Sequence, residues 1–137
     1  MDLELDDDQR AVHEAVVALL ADRVDLDATT ALAAEGALDT ALRTDLEEAG
    51  FLELALDDET GWLDAALFVE AVSHSGGLID AGAAAIVAPA VCGRSLPGPV
   101  ALMQRGHRGP VRFGAQARSV LVEHESGQCD TKTNTFQ

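Results

Sequence analysis

The sequence predicts a mainly α-helical protein: a helical bundle, then a few short β-strands and a disordered polar tail. Three observations carry this. Apolar residues make up 47% of the chain but aromatics only 4%, with no Tyr and one Trp. An Ala- and Leu-rich composition of that kind favours helix-on-helix packing. Apolar residues recur at helical spacing in several segments up to Val91. After Gly93 the texture changes: Pro97, Pro99 and Pro110 arrive with Gly98, Gly106, Gly109 and Gly114. A chain of 137 residues buries roughly two-thirds of its unfolded surface, enough for one core without disulfides or metals.

The elements follow in order. Asp6 can cap a first helix, with Gln9 three residues on completing a capping box. Asp7 and Asp8 then suit the positive end of the helix dipole. Val12, Val16, Leu19 and Leu20 form its apolar stripe, and the helix ends near Arg23. The stretch from Asp25 to Gly36 is weakly patterned, with Leu26 and Leu32 as anchors for a short helix or an irregular connection. Asp39 caps a second clear helix, whose Leu38, Leu42 and Leu46 recur every fourth residue, and Gly50 stops it. Phe51, Leu52, Leu54 and Leu56 read as an extended segment packing back over that helix end.

Residues 57–61 form a polar turn. Trp62 to Val72 is apolar nearly all round and reads as a central helix, ended by Ser75-Gly76-Gly77. Leu78 to Val91 is an Ala-rich helix that Pro89 kinks or restarts. Val100–Met103 and Ser119–Val122 are strand-like, Val111-Arg112-Phe113 more weakly so. Thr131-Lys132-Thr133-Asn134-Thr135 belongs to the disordered tail. The organisation expected is residues 1–96 helical, 97–125 a partial β segment and 126–137 tail.

Charge is uneven. Residues 1–70 hold 20 Asp or Glu against three arginines, and residues 71–137 hold four acids against six bases. Five arginines and no acid lie between Arg94 and Arg118. An acidic front half repels phosphates and argues against nucleic acid. It reads as a solvated face or as a surface for a basic partner, arginines of another copy included. The expected compartment is cytoplasmic. The opening residues are acidic, unlike a leader peptide, and Cys92 and Cys129 match no metal or redox spacing. The longest apolar stretch, 81–92, is too short to span a bilayer.

No residue is assigned as catalytic, cofactor-binding or metal-ligating. His13-Glu14 opens a zinc-type HExxH pattern, but Val17 stands where the second imidazole must be. Asp6-Asp7-Asp8 lacks the spacing of a calcium loop. Phosphate-cradling glycine loops and a GxSxG elbow are absent from the sequence. Ser73-His74-Ser75 puts hydroxyls beside an imidazole, but adjacent helical residues diverge. His107 and His124 are isolated.

The order of segments resembles the N-terminal part of the acyl-CoA dehydrogenase family. Leu5-Asp6-Asp7-Asp8-Gln9-Arg10 is similar to that family's opening L-T-x-E-Q-x helix start. Residues 42–56 resemble its next helix, glycine stop and apolar segment. Asp58-Glu59-Thr60-Gly61 stands where the family has an E-x-Y-G-G turn, and residues 63–72 resemble the helix that follows. The likeness covers roughly residues 3–96. Residues 109–123, around Val111-Arg112-Phe113-Gly114-Ala115 and Val120-Leu121-Val122, resemble a fragment of its middle β-domain.

The resemblance implies FAD-dependent oxidation of an acyl-CoA thioester by a glutamate base. The departures matter as much. The C-terminal domain that carries the base has no counterpart here. The L/M-T/S-E-P and W-I-T/S runs that hold the flavin are also missing, and the glycine pair is reduced to Gly61. FAD is therefore implied by the family only, and no cofactor is expected on the isolated chain. The resulting expectation is a truncated, non-catalytic partner subunit of a flavin-dependent acyl-CoA-oxidising assembly. It would dock to a full-length subunit or self-associate, with residues 94–118 as an interface. A helical scaffolding module and a non-functional gene remnant are the alternatives.

Overall fold

The computed structural model describes residues 4–123 and the strand at 129–133. The expectation of a mainly α protein holds. Five α-helices come first: α1 (Asp7–Arg23), α2 (Leu26–Ala34), α3 (Thr40–Glu48), α4 (Trp62–Ser75) and α5 (Ala88–Cys92). Three strands follow: β1 (Val100–Met103), β2 (Ser119–Glu123) and β3 (Cys129–Thr133).

The helix ends obey local chemistry. Asp6 accepts the Gln9 N–H at 2.7 Å while Gln9 accepts the Asp6 N–H at 3.1 Å, so two of the four orphan donors at the start of α1 are satisfied reciprocally. Asp25 accepts the Asp27 and Ala28 N–H groups at the start of α2, and Asp39 accepts Leu42 N–H at the start of α3. Helix α3 stops at Gly50, whose φ is +83°. Phe51 N–H then reaches back to Leu46 O and Gly50 N–H to Glu47 O, the paired bonds of a left-handed glycine stop.

The core is one cluster. Val16 and Leu20 of α1, Leu42 and Leu46 of α3, and Ala65, Phe68 and Val72 of α4 meet at its centre. Leu96, Val100, Phe113 and Leu121 join the same cluster, so the strand region leans on the helices rather than standing alone. Strand β1 pairs parallel with β2, and β2 pairs antiparallel with β3. The parallel pair is closed by residues 104–118, a crossover of the length such pairing needs.

Several elements differ from the sequence reading. Residues 129–133 are not tail but the third strand, hydrogen-bonded along β2. Without it the second edge of β2 would present unpaired backbone groups. The remainder of the expected tail lies outside the described residues. Val111-Arg112-Phe113 is a turn and not a strand: Gly114 N–H bonds Val111 O, and Phe113 has φ +59°. The Phe113 ring is buried, and burying it offsets the cost of left-handed backbone on a bulky residue.

Residues 51–56 are successive turns, not an extended segment, because Glu53 N–H bonds Gly50 O and Leu56 N–H bonds Glu53 O. They still pack back on the helices: Leu52 and Leu54 are buried, and the Phe51 and Phe68 rings stack at 6.2 Å. Residues 25–36 contain a helix, whose Leu26 is 67% exposed although its side chain lies beside Gly76 at the end of α4. Helix α4 is not central at its start, where Trp62 and Leu63 are each 51% exposed.

The Ala-rich helix begins after Asp80 rather than at Leu78, and residues Ala83–Val87 form a π-turn leading into α5. Ala88 N–H donates to Ala83 O, five residues back. Pro89 follows at once. It lacks an N–H and crowds the carbonyl four residues before it, and the wider turn relieves both. Leu78 and Asp80 are held outside the helix by other work. Leu78 O accepts Asp39 N–H at 2.8 Å, and Asp80 binds an arginine.

Candidate functional site: the groove between α1 and α4

Helices α1 and α4 lie side by side with their N-termini at the same end, where residues 6–12 and 59–64 share a cleft. Toward their C-terminal halves the helices part enough to leave a groove of 360 Å³. Its apolar lining is Val17, Leu20, Ala21, Leu67 and Ala71, and its polar lining is His13, Glu70, His74 and Ser75. The helical repeat explains the α1 side, since His13, Val17 and Ala21 recur every fourth residue and so share one face. Val17 is 45% exposed in this groove. Leu63, one turn before Leu67 on α4, extends the apolar surface beyond it.

The sequence assigned no catalytic residue, yet residues it weighed for chemistry meet here. His13, His74 and Ser75 line one groove. Their geometry is not that of a nucleophile and its base. Ser73 Oγ donates to Val69 O and Ser75 Oγ to Val72 O, both at 2.9 Å, so each hydroxyl is turned back on its own helix. His13 Nδ1 is buried without a hydrogen-bond partner; a tautomer with the proton on Nε2 leaves there a bare acceptor. Among the described residues no group of three or more His, Cys, Asp or Glu could hold a metal ion. His107 lies elsewhere, exposed, with Nε2 3.2 Å from Pro110 O, and His124 is outside the described residues.

A second polar feature escaped the sequence reading. Arg43 counted there only as a charge, but it is 5% exposed and pairs with Asp80, itself 5% exposed. Arg43 Nε donates to Asp80 Oδ1 at 2.7 Å, and Nη2 lies 3.4 Å from Oδ2. Asp80 Oδ2 also accepts Val100 N–H at 2.6 Å, and Arg43 Nη1 reaches Glu47 at 3.1 Å. One carboxylate therefore ties α3 to the start of β1. Gly98 lies against the guanidinium so closely that a Cβ there would overlap it. Both side chains are almost wholly buried, and the pair organises the fold by joining α3 to the start of β1. No local spacing announces it, since the partners are 37 residues apart.

A larger cleft of 490 Å³ runs beside the 110–113 turn, lined by Ala33, Gly36, Ala37 and Leu78. It holds one charged side chain, Arg112, which already lies 4.8 Å over the Phe113 ring. The α1–α4 groove is the better candidate because exposed aliphatic side chains and several titratable ones converge on it. No helix among the described residues is long and apolar enough to cross a membrane. Compared with known families, curated proteins and solved structures, the chain matches none.

Proposed function

We propose that this chain is a non-catalytic docking subunit, whose partner is a flavin-dependent, acyl-CoA-oxidising protein. The observation that carries the docking half is the α1–α4 groove. Half-exposed Val17 lines it, and half-exposed Trp62 and Leu63 lie further along α4 beside the N-terminal cleft; exposed apolar surface of this kind marks interaction sites. The flavin half rests on the resemblance of residues 3–96 to the acyl-CoA dehydrogenases. In this reading the chain supplies surface and not chemistry, and oxidation takes place on the partner. A helical interaction module with an unrelated partner is the second reading, favoured by the groove itself, which needs no flavin enzyme to be useful.

Two measurements test the proposal together. Titrating FAD into the purified full chain is expected to leave flavin fluorescence and absorbance unchanged. Affinity capture with the same chain is expected to recover a yellow protein that oxidises acyl-CoA. A purified chain that is itself yellow overturns the non-catalytic assignment. Capture of a flavin-free partner, blocked by substitutions in the groove, supports the second reading instead.

A further inference from the structure

We infer that the α1–α4 groove seats a short amphipathic helix of a partner protein, one that carries Lys or Arg beside its apolar stripe. This rests on the docking proposal and adds the chemistry of what docks. The groove runs from His13 to Ala21 on α1 and from Leu67 to Ser75 on α4. At 1.5 Å per residue that is about 12 Å, roughly two turns of an incoming helix. Val17, Leu20, Leu67 and Ala71 offer an aliphatic floor, which accepts side chains spaced at i, i+3, i+4 and i+7.

The walls supply the sign of the charge. Glu70 lines the groove, and Glu14 follows His13 on α1. Neither makes an ion pair among the described residues. The two arginines of α1 are already engaged, Arg10 by Asp7 and Arg23 by Asp22 and Asp45. Helix α4 has no Lys or Arg. Apart from the imidazoles of His13 and His74, no basic side chain among the described residues lines the groove, so the Lys or Arg that matches Glu70 comes with the occupant. The acidic first 70 residues steer a basic helix toward this face. They repel helices α1 to α4 of a second copy, which carry the same sign, and they repel anionic small molecules.

The test uses the full chain and two labelled peptides of about 16 residues, above the length at which isolated helices are marginal. Both carry Leu at i, i+3, i+4 and i+7; one is flanked by Lys and the other by Glu. The Lys peptide is expected to bind saturably and to shift amide resonances confined to residues 13–21 and 67–75. Val17→Asn is expected to weaken it by about tenfold, through lost apolar burial. Glu14→Lys with Glu70→Lys is expected to weaken the Lys peptide and admit the Glu peptide. Shifts spread over the whole acidic surface, or binding indifferent to Val17→Asn, would overturn the inference. Equal binding of both peptides by the unaltered chain would overturn its charge component. If a flavoprotein is captured but the Lys peptide does not bind, the docking proposal stands and this inference falls. If the peptide binds the groove and no flavoprotein is captured, the inference stands and the flavin assignment falls.

Discussion

Gly98 and Arg43 are packed directly against each other. The guanidinium occupies the space a Cβ at 98 would need, and it is not free to swing away, being tied to Asp80 in the interior. Gly98→Ala should therefore act on the ion pair rather than on the local backbone. Displacing one member of a buried pair leaves the other charged and unmatched, so a loss of about 2–4 kcal/mol is expected. In an Arg43→Ala background the same change should cost below about 1 kcal/mol, because the obstructing group is gone. Denaturant unfolding of the four proteins gives the coupling directly. Additive losses would mean that Gly98 matters for another reason. Nothing near either residue in the sequence pointed to this pair. An arginine at position 43 looks like any solvated helix charge until the fold brings residue 80 beside it.

At the scale of elements, the helices are the legible part. Their ends are written in neighbouring residues: Asp6 with Gln9, Asp39 with Leu42, and Gly50 and Phe51 with Glu47 and Leu46 respectively. Each device satisfies backbone groups within one turn, so no distant information is needed to foresee it. The cap at Asp6 is exposed and makes a simple test. Asp6→Ala should cost about 1 kcal/mol, with amide exchange speeding up in the first turn of α1 and not in α3. A loss confined to neither helix would contradict the cap's local role.

The strands were less legible, because pairing joins segments whose own sequence is neutral about partners. Cys129–Thr133 is polar and reads as tail, yet it completes β2. Residues 111–113 read as a weak strand, yet they turn, since Phe113 is drawn into the core. The Pro89 helix shows the intermediate case. The sequence announced a disturbance there, and packing chose a π-turn as its form.

At the scale of the whole molecule the governing fact is charge. A net −15 on 137 residues destabilises the compact state through self-repulsion. Screening shortens from a Debye length of about 30 Å at 0.01 M salt to about 3 Å at 1 M. Added sodium chloride across that range should therefore raise Tm by several degrees, read by calorimetry. The buried Arg43–Asp80 pair lies out of reach of the ions and should not reverse the trend. A Tm that falls with salt would mean that surface attraction outweighs repulsion.

The sequence by itself determined the helix boundaries near Asp6, Arg23, Asp39, Gly50 and Gly76, the mainly α class and the acidic front. All of these follow from interactions within one or two turns or from composition alone. The candidate site was half visible: His13 and His74 stood out as residue types, but not that they would share a groove with Val17 and Glu70. Only the tertiary structure decided that groove, the Arg43–Asp80 tie to Val100 and the third strand. The third strand depends on backbone pairing along β2, whereas the groove and the tie depend on groups far apart in sequence meeting at distances of a few ångströms. Such meetings are set by how the apolar faces of α1, α3 and α4 close on one another, and no local pattern encodes that closure.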